Sequence, residues 1–228
     1  MSSRNATTAH NTDTAAVQEG PLTLALPKGR LFDQVQDFFL KKGLHFKFES
    51  RKLVAHDESG LLKIFLVKNA DLPTYVHHGI AGLGICGEDV LFEEGKRFFR
   101  LRKFDFGSTS MCLAAKKGYT APKKSRSLTV ATKFPKFTLD YFHRRGHPIE
   151  LIKLNGSVEL APILGLAPYI VDLVETGSTL KANNLEVVEV LQTIVVQLIA
   201  NPSYYKLNYR RINQLLDMLN SHSKEERE

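Results

Sequence analysis

Short apolar runs alternate with helical patterns along almost the whole of this chain, and that order is the strongest constraint on its fold. Leu22–Leu26, Leu61–Val67, Ile80–Cys86, Ser110–Ala115, Leu128–Thr132 and Ile149–Leu154 read as strands, and Tyr169–Val174 as a buried one. Helical patterns lie between them. Leu31, Val35, Phe38 and Phe39 share one side, and Gly43 marks a stop. Asp71–Val76 carries Pro73 in a first turn, and Gly87-Glu88-Asp89 opens another helix. Phe134–Arg145 forms a further helix, and Asn155–Ser157 caps a short one containing Glu159. His45–Glu49 alternates as a half-exposed strand does. Glu186–Leu191 and Thr193–Ile199 read as two strands or one bent one, and Tyr204–Leu219 as one amphipathic helix. Such alternation predicts an α/β fold with mainly parallel sheets. Two halves are expected, residues 21–107 and 108–192, with a first crossing near Phe106–Ser110 and residues 193–228 returning to the first half. A double crossing makes a two-lobed clamp with a ligand cleft between the lobes.

The most chemically suggestive stretch is YIVDLVETGSTLKANNL, Tyr169–Leu185. A buried strand ends in a loop of hydroxyls around a glycine, Glu175-Thr176-Gly177-Ser178-Thr179. Such a loop can aim backbone N–H groups and hydroxyls at one point, which suits a phosphate because its oxygens only accept. Asp172 and Glu175 suit ribose hydroxyls, which can donate. The same loop is also compatible with an ordinary capped turn. A second basic loop, Pro27-Lys28-Gly29-Arg30, sits between a strand and a helix, where open α/β sheets place ligands. Two surface cations would give the same pattern.

Composition narrows the class. The chain has 228 residues, 43 % of them hydrophobic, with a net charge of +7 that suits nucleotides, sugar phosphates or nucleic acid. No apolar run approaches the roughly 20 residues needed to cross a bilayer. Residues 1–20 are polar, lack the apolar core of a secretory signal and read as a disordered tail. Cys86 and Cys112 show no ligand-like spacing, so reduced thiols and a cytoplasmic setting are expected. The eight histidines form no metal-binding pattern. Nor is there a helix-turn-helix, RNP-like or zinc-finger signature.

Several words, in order, carry a family resemblance: ALPKGR (25–30), SRKL (50–53), DLPTYVHHG (71–79), GICGEDVL (84–91), VATKFP (130–135), KLNGSVELAPILGLA (153–167) and IVDLVETGSTLKAN. Together the series resembles the ATP phosphoribosyltransferases over roughly residues 21–205. The resemblance implies two α/β lobes like those of type II periplasmic binding proteins, with the active site in the inter-domain cleft. It also implies the short form, which works as a dimer and as a hetero-oligomer with a regulatory subunit resembling histidyl-tRNA synthetase. The reaction implied joins adenine N1 of ATP to C1 of phosphoribosyl pyrophosphate (PRPP).

Residue by residue, the resemblance implies that Glu175, Thr176, Gly177, Ser178, Thr179 and Leu180 hold the 5-phosphate of PRPP. Asp172 and Glu159 would take its ribose hydroxyls. Arg30, Arg51 and Lys28 would serve catalysis beside the pyrophosphate and the ATP phosphates. Gly87 and Asp89 would belong to the ATP pocket. Mg²⁺ would arrive with the phosphates, without a dedicated protein site. The sequence departs from the family where Gly82 and Pro168 replace acids and Asn184 replaces glycine. A two-lobed anion- or nucleotide-binding protein without catalysis is the alternative.

Overall fold

The computed structural model describes residues 20–120 and 127–221. The expected tail at 1–20, apart from Gly20, and residues 121–126 of the expected Lys116–Ser127 loop lie outside these. Nine strands form one sheet in the order β2-β3-β1-β4-β9-β5-β8-β6-β7. Its first half contains β1 (Leu22–Pro27), β2 (Val54–His56), β3 (Leu62–Val67) and β4 (Leu83–Gly87). Its second contains β6 (Leu128–Thr132), β7 (Ile149–Lys153) and β8 (Tyr169–Val174). Within each half the central ladders are parallel: β1 with β3 and β4, β6 with β7 and β8. Antiparallel pairing is confined to the edge strand β2 and to the two strands that run through both halves.

Those two strands are β5 (Phe99–Lys116) and β9 (Leu185–Ala200). The expected crossing segment and the Ser110–Ala115 strand are thus one element. Register shifts between Arg100 and Arg102, between Phe104 and Thr109, and further along let it bend without ending. Gly107 stands inside the second shift at φ 71°.

Helices cover the sheet. They are α1 (Arg30–Lys41), α2 (Leu72–His77), α3 (Glu88–Glu94), α4 (Pro135–Arg144), α5 (Leu160–Leu164), α6 (Ser178–Ala182), α7 (Pro202–Leu207) and α8 (Tyr209–Asn220). Val35 and Phe39 of α1 and Ile212, Leu215 and Leu219 of α8 pack with Leu22, Leu24, Leu26, Ile64 and Val196 in the first half's core. Each such side chain contributes about 1.5–3 kcal/mol on burial. The second half has its own cluster around Met111, Val130, Phe137, Phe142 and Val171.

Three details differ from the sequence reading or explain it. His45–Glu49 forms no strand; only Phe46 bridges to Asp57. The Tyr204–Leu219 helix is two, α7 and α8, which meet at Asn208 at φ −112° and ψ 20°, where the side chain also donates to the Tyr204 carbonyl at 3.1 Å. At Gly82, a Cβ would lie 2.0 Å from the Tyr204 ring. That ring fills the space over Gly82, while its hydroxyl accepts from Thr23 N at 3.0 Å.

Candidate functional site

The loop after β8 builds a cavity of about 220 Å³ lined by Arg30, Glu159, Asp172, Leu173, Val174 and every residue from Glu175 to Leu180. Gly177 turns the chain from strand into α6 at φ 72°, a conformation that suits glycine. Thr176 Oγ1 stands 3.1 Å from Ser178 Oγ and accepts from Ser178 N at 3.4 Å, so the hydroxyls hold the turn together. The N-cap Gly177 has no side chain, and beyond Ser178 N the next amides of α6, those of Thr179 and Leu180, are available to an anion.

Arg30 reaches this cavity from the start of α1, in the first half, and its guanidinium pairs with Glu175. The arginine is largely exposed, and an exposed ion pair is worth only about 0–1 kcal/mol. An incoming phosphate can therefore displace Glu175 at small cost. Asp172 is more enclosed. Its carboxylate accepts from Leu173 N at 2.8 Å and pairs with Lys133 Nζ at 3.2 Å.

Lys133 also borders a second cavity, of about 460 Å³, lying between the halves. Asn69, Asp89, Val90, Glu93 and Glu94 line it from one side, Phe134, Pro135, Lys153, Leu154 and Asn155 from the other. Leu173 lines both cavities, so they adjoin. Burial pushes the Asp89 carboxyl above the usual carboxylate range, although its neighbouring amides and Lys133 pull it down. Asn69 Oδ1 is buried without a protein partner at the same cavity.

Glu159, Asp172 and the Glu175–Leu180 set expected to hold PRPP therefore share one cavity with Arg30, and Asp89 faces the adjoining one. The other expected residues fall outside. Gly87 lines neither cavity; a Cβ there would come within 2.2 Å of Asp89 Oδ1, so its bareness makes room for that carboxylate. Lys28 borders a separate groove with Leu53, Val54 and Tyr75. Arg51 lines neither cavity and sits in an exposed turn at φ 62°. A long side chain in the left-handed region is strained, which is frequent at ligand clamps. Sequence reasoning passed over Lys133, Lys153 and Asn69. Lys133 stood at a strand end inside VATKFP, a recognisable signal; Asn69 had none.

Fold and cavities together define the class: an α/β clamp able to hold anionic ligands in its cleft. Solved structures of remote sequence show the same fold, including the alkanesulfonate-binding protein SsuA from Xanthomonas axonopodis bound to MOPS (11 % identity, TM-score 0.57, 88 % of this chain and 72 % of that one). A far nearer likeness is the ATP phosphoribosyl transferase (HisG:HisZ) complex from Thermotoga maritima, at 38 % identity and TM-score 0.75 over 87 % of this chain and 96 % of that one. The HisG family model, ATP phosphoribosyltransferase, matches residues 68–221. An ATP phosphoribosyltransferase of Caldicellulosiruptor bescii is 45 % identical over 204 residues, covering 87 % of this chain and 96 % of its own. One from Thermoanaerobacter sp. strain X514 is 44 % identical over 202 residues, covering 86 % and 92 %.

The chain belongs to the ATP phosphoribosyltransferase family. It is a pentosyltransferase of the first step of histidine biosynthesis, condensing ATP with PRPP to give N1-(5-phosphoribosyl)-ATP and pyrophosphate. The resemblance read from the ordered words is borne out for family, fold and activity.

Proposed function

We propose that PRPP occupies the cavity under Glu175–Leu180 and that ATP enters the adjoining cavity between the halves. One observation carries this reading: the hydroxyl-rich loop and Arg30, from opposite halves, line one cavity. The 5-phosphate meets the amides and hydroxyls of Thr176–Thr179. Glu159 and Asp172 accept from the ribose hydroxyls, which places C1 towards the boundary formed by Leu173 and Lys133. Arg30 exchanges Glu175 for pyrophosphate oxygens. Adenine N1 then attacks C1 with its own lone pair. The C1–O bond breaks, and its electrons leave with the pyrophosphate. No side-chain nucleophile is required. Arg30 and Lys133 supply positive charge where the leaving group develops its negative charge.

Arg51 and Lys28 are proposed to serve the same phosphates. Residues 50–53 and the β1–α1 turn bring them to one edge of the first half, and a guanidinium fork suits bidentate phosphate contacts. Mg²⁺ fits as a passenger on the substrates. Among the described residues no group of three His, Cys, Asp or Glu side chains could hold a metal. Mg²⁺ characteristically binds through substrate phosphates with one or two carboxylates, and Asp172 and Glu175 are at hand. When bound it neutralises pyrophosphate charge; orienting C1 falls to Glu159, Asp172 and the loop.

Residues 21–107 with 193–228, and residues 108–192, are proposed as the two domains. The chain is proposed to act as a dimer and as a hetero-oligomer with a HisZ-like, histidyl-tRNA-synthetase-like partner, as the Thermotoga complex suggests. A cytoplasmic setting is proposed, as for the enzymes of this family; among the described residues no helix is long and apolar enough to cross a membrane. The test is pyrophosphate release by the isolated chain with ATP and PRPP, repeated with the partner and with histidine. Binding of both substrates without pyrophosphate release would favour the non-catalytic alternative.

A further inference from the structure

Helix α4 begins without a cap of its own. Phe134 N donates to Thr132 Oγ1 at 2.9 Å, Pro135 has no N–H, Thr138 N donates to Phe134 O at 3.0 Å, and the N-cap residue Phe134 offers no side-chain acceptor. Two amides of the first turn are left, those of Lys136 and Phe137. Both are taken by a single carboxylate from the other half of the molecule. Glu93 of α3 accepts from Lys136 N at 3.2 Å through one oxygen and from Phe137 N at 2.8 Å through the other. The exchange is mutual. The Lys136 ammonium donates to the Glu93 carbonyl and to that of Glu94 at 3.5 Å, at the C-terminus of α3. A carboxylate thus meets the positive end of one helix, and an ammonium the negative end of the other, the favourable sign at each. Phe92 and Phe137 pack edge to face beside them, 5.7 Å between centroids.

The two helices belong to different cores. Val90 and Leu91 of α3 pack with Ala25, Leu72 and Ile199, whereas Phe137 and Phe142 of α4 pack with Val130 and Val171. Glu93 and Glu94 line the larger cavity from the α3 side, Phe134 and Pro135 from the α4 side. The contact therefore bridges the halves at the wall of that cavity.

We propose that Glu93 and Lys136 form a reciprocal helix-cap latch that holds the two halves closed over the cavity, making Glu93 a positioning residue for the reaction. The part concerning substrate rests on the reading that this cavity takes ATP. Losing the latch lowers the fraction of closed molecules, and apparent affinity falls by that same fraction. Saturating substrate restores closure, so kcat is spared.

The test uses the full chain carrying Glu93→Ala or Lys136→Ala, with Glu93→Gln as the conservative variant. Small-angle scattering should show a larger radius of gyration for free Glu93→Ala, returning to the wild-type value with ATP and PRPP. KM should rise roughly 5- to 10-fold, the scale of a lost helix cap, and in Lys136→Ala, whose side chain lines neither of the two adjoining cavities, kcat should stay within about twofold. Lys136→Ala, which leaves the α4 amides capped, should shift both readouts the same way, and Glu93→Gln should recover part of the loss. A lower melting temperature with radius and KM unchanged would reduce Glu93 to a helix cap and overturn the latch. A larger free radius with unchanged KM would uphold the latch mechanically and count against ATP as the occupant of the cavity.

Discussion

Substitution of Gly177 separates two ways in which the loop could bind a phosphate. Its φ of 72° places it in the left-handed region, where a Cβ costs about 1–2 kcal/mol. A Cβ built there meets only Val174 Cγ1, at 3.9 Å. The fold therefore has room for a side chain, and the penalty is one of backbone angle. If the loop relaxes to escape that angle, the α6 amides turn away from the anion. A loss of 1–2 kcal/mol is roughly 5- to 30-fold in affinity. Gly177→Ala should raise KM for PRPP by about this factor. Gly177→Val should do worse, because branching stiffens the side chain further. Gly177→Asn should do least harm, since asparagine tolerates positive φ, as Asn184 does in this chain at φ 54°. The assay is initial rate against PRPP at saturating ATP, with melting temperatures to confirm folding. Wild-type KM in Gly177→Val would remove the loop from phosphate binding. An Asn variant as impaired as Val would mean that side-chain bulk obstructs the cavity and that the argument from backbone angle is wrong.

Arg30→Ala should lower kcat on the order of 10²-fold, the loss typical of a group that stabilises developing charge. Arg51→Ala should do the same if its turn folds over the leaving group, and wild-type turnover would strike Arg51 from the mechanism. Asp89→Asn should raise the melting temperature at neutral pH. The carboxyl's raised folded-state pKa means that its contribution to stability is fully present below the ordinary value and lost as pH rises through the raised one. Melting curves from pH 4 to 8 that superimpose for wild type and variant would refute this. Gly82→Asp should destabilise by about 1–3 kcal/mol through overpacking against Tyr204. Adding Tyr204→Ala should recover part of the loss, and strict additivity in denaturant unfolding would deny the contact.

Locally specified structure was the most legible in the sequence. β1, β3, β6 and β8 are short apolar runs whose burial their own composition dictates, β7 forms an edge of the sheet with no fully buried residue, and the turn at Glu175–Thr179 carries its signature in adjacent residues. The misses come from interactions between distant positions. β5 looked like two pieces because its shifts and Gly107 break the apolar alternation, yet pairing with β9 keeps it one strand. His45–Glu49 has a strand's alternation but finds a partner only at Asp57. The family resemblance gives Arg30 and Arg51 the same role, and only the folded chain separates the one that lines the cavity from the one outside it. The pairing of Glu93 with α4 spans more than 40 positions and leaves no trace in either local pattern.

The return of β9 to the first half has a consequence for how the polypeptide matures. Val196, Leu198, Ala200, Ile212, Leu215 and Leu219 complete a core whose other walls are β1, β3 and α1. While the chain emerges from the ribosome, that core stays unfinished until its last wall has been made, with Leu22, Leu24 and Ile64 lacking their cover. The second half needs no such wait for α8. Nascent chains truncated before residue 196 should therefore depend on holdase chaperones, and the segment synthesised first should be among the last to become protease-resistant.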